Sequence, residues 1–173
     1  GLILVGVVVT LTQYDIGIRL YGAGFLALSA WLLRYDVARR TVRLQGVTRF
    51  IAVCLLSGYA WLAVSGVLSM MYGGVAAGPP YDATLHTLFL GFIVAMLFGH
   101  APVIFPAVLG WAIPYHPRLY APLLLLHASL CLRLIGDVSG SASGRLWGGL
   151  LNAVALILFL GMMGYAMRHH RGA

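Results

Sequence analysis

The feature that most constrains this chain is a succession of apolar stretches, each long enough to cross a lipid bilayer. Short segments between them hold nearly all of the polar residues. A spanning helix needs about 20 predominantly apolar residues. In hydrocarbon, backbone N–H and C=O groups must be satisfied within the segment itself, so stretches of this kind fold as helices. The composition agrees, with 61% of the 173 residues hydrophobic and 9% charged, and a mean hydropathy of +0.95. A soluble domain carries about 25% charged residues to face water. The pattern predicts an all-α integral membrane helix bundle.

About six transmembrane segments are expected, over residues 2–11, 16–33, 49–72, 82–109, 119–136 and 146–167. The first is too short to cross alone. Together with a start at Gly1, this suggests a cut helix and a single transmembrane domain, 1–173, within a longer chain. Breakers mark the connections: Gly73, Gly74, Gly78, Pro79 and Pro80; then Pro114 and Pro117; then residues 139–144, all Ser, Gly or Ala. Asp82 is expected to N-cap the fourth helix. Pro102 and Pro106 are expected to bend its far end. Small residues such as Gly22, Gly58, Gly148 and Gly149 permit close helix packing.

The eleven basic residues are all Arg, against four acids, Asp15, Asp36, Asp82 and Asp137. Eight arginines fall on one side: Arg34, Arg39, Arg40, Arg43, Arg49, Arg118, Arg168 and Arg171. Arg19, Arg133 and Arg145 fall on the other. The richer side is expected to face the cytoplasm, with the C-terminus there too, in a bacterial inner membrane. A net charge of +7 built this way sets topology. It forms no basic face with stacking aromatics, so nucleic acid is not an expected partner. Cys54 and Cys131 sit about 10 Å apart in depth, too far for a disulfide, and read as small buried apolar residues.

Candidate chemistry lies with the histidines. His116, His169 and His170 fall in a loop or the tail and read as solvated. His86, His100 and His127 fall inside helices, where an ionisable group is costly and marks a functional site by default. His86 and His100 are fourteen residues apart, close to four whole α-helical turns, so both are expected on one face about 21 Å apart. His100 and His127 are expected at one depth on antiparallel neighbours, facing each other as axial ligands of one haem iron or as copper ligands. Arg133 and Asp137 are spaced to pair at i, i+4. With a haem nearby, Arg133 could instead meet a propionate. No Walker loop, nucleophile elbow, HExxH or paired intramembrane carboxylates occur.

Several runs carry a resemblance. They are Arg49 through Gly58-Tyr59-Ala60-Trp61-Leu62, then His86-Thr87-Leu88-Phe89-Leu90-Gly91 with Met96 ten residues after the histidine. The segments from Tyr120 to Arg133 and from Trp147 to Leu160 complete them. Together, residues 47–167 resemble the closing part of the NnrS family of membrane proteins. That resemblance implies haem and copper binding, a link to nitric oxide metabolism and a distant similarity to haem–copper oxidase subunit I. It implies a ligand role for His86. Gly99-His100 departs from the family's second histidine motif, being followed by Ala101-Pro102-Val103-Ile104-Phe105-Pro106 where the family has polar residues.

These observations lead to a membrane-embedded protein binding haem b, or copper, through His86, His100 and His127, with Arg133 beside the cofactor. A redox, electron-transfer or nitric oxide-related role follows. The alternative is a non-enzymatic accessory transmembrane subunit of a respiratory or photosynthetic complex, with histidines that make helix contacts or bind a pigment. Lipid and either other membrane subunits or an upstream half of the same chain are the expected partners.

Overall fold

The computed structural model describes residues 1–109 and 115–169, the side chains of 109 and 167–169 excepted. Of the residues singled out above, Pro114, His170 and Arg171 lie outside the described residues. Among the described residues there is no strand. The helices are α1 (Leu2–Val9), α2 (Tyr14–Tyr35), α3 (Ala38–Thr41), α4 (Gly46–Tyr72) and α5 (Pro79–His86). Helix α5 runs directly into a π-helical segment (Thr87–Val94) and then α6 (Ala95–Leu109). A 3₁₀ turn (Pro117–Leu119) leads to α7 (Tyr120–Ser139), and α8 (Ala142–His169) follows.

Five of these helical runs are long and apolar enough to cross a membrane: Tyr14–Tyr35, Gly46–Tyr72, Pro79–Val108, Pro117–Ser139 and Ala142–Ala166. The chain is a multi-pass membrane protein of the all-α class. Among the described residues five helices are long enough to span, and the first apolar stretch, expected to be too short alone, forms the eight-residue α1. That helix turns back on α2.

Helix α4 is the centre of the bundle. On one side it meets α2 at a glycine crossing. A Cβ at Gly22 would fall 2.8 Å from the Gly66 carbonyl oxygen, and one at Gly66 equally close to that of Gly22. Backbones can approach this closely only where neither residue has a side chain. On its other side α4 packs against the π segment and α6, and its Phe50 ring stands edge-on to Tyr120 of α7 at 5.2 Å. The main apolar core joins Phe50 and Cys54 of α4 to Phe98 of α6, Leu123 and Leu126 of α7, and Phe159 and Met163 of α8. The Phe98 and Phe159 rings stack at 3.8 Å. Cys54 and Cys131 are both free thiols; Cys54 is buried as expected, whereas Cys131 is exposed on the outside of the bundle.

One boundary near the site differs from the sequence reading. Helix α5 starts at Pro79, one turn before Asp82. Proline at the first turn costs no hydrogen bond, since that N–H has no helical partner anyway. Asp82 is therefore no N-cap, and its carboxylate is free to reach another helix. Helix α6 continues past Pro102 and Pro106. Gly140, at φ 71°, closes α7 in the left-handed conformation that favours glycine, and α8 returns at once along α7.

Candidate functional site

The three helical histidines occupy two different settings. His127, in the middle of α7, faces α4. Its Nδ1 accepts from the Trp61 indole Nε1–H at 3.0 Å. Its Nε2 lies 3.0 Å from the Ser57 hydroxyl. Because Nδ1 accepts, the ring proton sits on Nε2 and is donated to Ser57 Oγ. Ser57 in turn donates to the Cys54 carbonyl at 3.0 Å. The Trp61 and His127 rings lie nearly parallel, 6.3 Å between centroids. Both nitrogens of His127 are thus spent on a chain of hydrogen bonds between α4 and α7. No lone pair is left for a metal. The expected pairing of His127 with His100 across one iron gives way to this contact, since matched depth fixed the level of the ring and not the helix it faces.

His86 and His100 are arranged alike, and unlike His127. Each donates from Nδ1 to the carbonyl one turn back on its own helix: His86 to Asp82 at 2.8 Å, and His100 to Met96 at 2.8 Å. In each, the proton is fixed on Nδ1 and Nε2 carries the lone pair. Metal-binding histidines are oriented in this way, with the far nitrogen held by a carbonyl or carboxylate. His86 has both kinds of support, since its Nδ1 also lies 3.2 Å from the Asp82 carboxylate. The two rings do not share a face by helix geometry, however. The π segment between them makes i→i+5 turns, so each residue advances less than the α-helical step on which that expectation rested.

Within the π segment, Gly91 admits the close approach of Trp61. A Cβ there would fall 2.5–2.9 Å from atoms of the Trp61 side chain. The indole that serves His127 occupies the space beside the widened turn. Thr87 supplies an extra donor at the junction, its hydroxyl reaching the Ala83 and Thr84 carbonyls at 2.9 and 3.0 Å.

Around His86 the bundle end carries a charged cluster. Arg133 of α7 donates to the Asp82 carboxylate through Nη2 at 2.6 Å and Nε at 3.1 Å. This corrects the expected Arg133–Asp137 pair: the earlier start of α5 brings Asp82 across to α7. Asp137 is 7% exposed, and both of its carboxylate oxygens are buried without a hydrogen-bond partner. Asp82, Arg133, Asp137 and Arg145 line one open cleft of about 720 Å³, together with Tyr81 and Leu146. Arg145 makes no side-chain hydrogen bond among the described residues. Sequence reasoning passed over it. The signal was available in the short turn between α7 and α8, which sets Arg133 and Arg145 side by side.

Among the described residues, no three His, Cys, Asp or Glu side chains converge as a metal cage. A family model described as Domain of unknown function (DUF8744) matches residues 1–168. No curated protein and no solved structure matches the chain.

Proposed function

The chain belongs to the DUF8744 family, and from its own chemistry we propose that it is a membrane-embedded haem b- or copper-binding protein with a redox, electron-transfer or nitric oxide-related role. The observation that carries this reading is the fixed tautomer of His86 and His100, with Nδ1 engaged and Nε2 available. Neutral imidazole in that state is ready to bind a metal without losing a hydrogen bond. The NnrS-like run that begins at His86 supports the same assignment. Bound haem would supply one-electron chemistry tuned by its axial ligands. His86 and His100, on opposite sides of the π segment, would each offer one ligand to a separate metal. Arg133 is held by Asp82, so Arg145 is the guanidinium left to meet a propionate in the cleft. The remaining ligands would come from a neighbouring membrane subunit or from chain upstream of Gly1. His127 is reassigned to holding α4 and α7 together.

The test is to purify the protein from cells able to make haem, then measure its visible spectrum and metal content. A Soret band, or stoichiometric copper, that disappears in His86→Ala supports the proposal. Protein free of both would overturn it and favour the accessory-subunit alternative.

The proposed orientation places the Arg34–Arg49 loop and the C-terminus in the cytoplasm of a bacterial inner membrane. In a Cys131→Ala background, an impermeant thiol reagent added outside cells should label Ser141→Cys and spare Thr41→Cys. The reverse pattern would invert the topology.

A further inference from the structure

The end of the bundle opposite the His86 cluster carries the densest charge in the molecule. Arg34, Arg39, Arg40 and Arg43 line a single cleft of about 330 Å³ with Tyr35 and Asp36, between the end of α2 and the start of α4. Setting topology requires only that arginines lie on one side of the membrane. It does not require that four of them converge.

The scaffold beneath them is pinned. Asp36 accepts from the Ala38 backbone N–H at 2.7 Å and from the Tyr59 hydroxyl at 3.1 Å. Ala38 is 1% exposed against the bundle. Arg39 donates to the Arg34 carbonyl at 2.8 Å. The single carboxylate of the cleft is thus satisfied by neutral donors, and no arginine of this group forms an ion pair among the described residues. Four guanidinium groups on a fixed loop share the cleft with one carboxylate and so carry a surplus of positive charge. Arginine forks match phosphate oxygens in pairs, and four exceed what one phosphate needs. Beside the cleft stand the exposed apolar side chains of Trp31, Leu33, Tyr35 and Val37, at the helix end where acyl chains meet headgroups.

We propose that this cleft is a specific site for an anionic phospholipid with two phosphates, of the diphosphatidylglycerol type. Its phosphates pair with the guanidiniums of Arg34, Arg39, Arg40 and Arg43, and its acyl chains lie along the end of α2. Attraction of basic residues to an anionic membrane is general. What the fixed loop adds is a preference for two linked phosphates over two separate ones.

The purified protein in neutral phosphatidylcholine nanodiscs provides the test, with bound lipid counted by native mass spectrometry. The variant is Arg40→Gln/Arg43→Gln, because neither side chain makes a hydrogen bond among the described residues and both are exposed. The control is Arg118→Gln, on the same side of the membrane outside the cleft. The expected result is one retained two-phosphate lipid per chain, with affinity at least about tenfold lower in the double variant, from two lost charge-assisted contacts. Arg118→Gln should bind as the parent does. Three results would each overturn the proposal: equal retention of phosphatidylglycerol at matched phosphate, an equal loss in Arg118→Gln, or displacement of the lipid by pyrophosphate at the same concentration.

Discussion

His127 and His86 are two histidines on helices of one bundle, and their surroundings treat them in opposite ways. His127 has each ring nitrogen bonded across to α4, through Trp61 and Ser57. His86 has one nitrogen turned back to its own helix, and its other nitrogen is left over. The first histidine is used up by the fold. The second is oriented by the fold and then left available. Burial of an ionisable group in a membrane marks it as unusual, but what separates structural from functional use is whether a lone pair remains once the neighbours are satisfied.

The largest single-site effect on this contrast is expected from Gly91→Ala. The added methyl would strike the Trp61 side chain, so the indole must move and its bond to His127 must break. Overpacking of this kind costs about 1–3 kcal/mol, with the unpaired indole N–H adding to it. Thermal or denaturant unfolding in detergent would read the loss. If Gly91→Ala were neutral, the coupling between the π segment and His127 would be wrong. Asp82→Asn should cost about 1–3 kcal/mol, since it removes the charged acceptor of the half-buried Arg133 guanidinium. The same change weakens the support of His86, and metal affinity should fall by about 10–100-fold. Stability loss without any change in metal affinity would separate the ion pair from the histidine. Ser57→Ala removes the acceptor at His127 Nε2 and the donor to the Cys54 carbonyl, and should cost about 0.5–1 kcal/mol, with no effect at the His86 end.

Much of the fold was legible because lipid leaves the backbone few choices. Five of the six apolar stretches are helices long enough to span, and the breakers at 73–80 and 139–144 fall at the junctions between described helices. The first stretch, read as too short to cross alone, forms the eight-residue α1. The histidines themselves were legible, since residue type and depth follow from the sequence. Their partners were not. His127 and Trp61 are 66 positions apart, and no periodicity links an indole on α4 to an imidazole on α7. The π segment was equally hidden. Its Gly91 packs against Trp61 of another helix, and a single strand of sequence shows only the glycine. Arg133 was assigned to Asp137 by helical spacing, which holds within one helix and says nothing of an Asp82 that arrives from another.

The contrast between the two histidines is tested most directly by comparing His86→Ala and His127→Ala, in both Soret absorbance per chain and the unfolding midpoint of the haem-free forms. His86→Ala should lose the absorbance and keep the midpoint. His127→Ala should keep the absorbance and lose about 2–3 kcal/mol of stability, from the orphaned indole and the cavity left by the ring. The opposite assignment, with absorbance lost in His127→Ala and retained in His86→Ala, would contradict it.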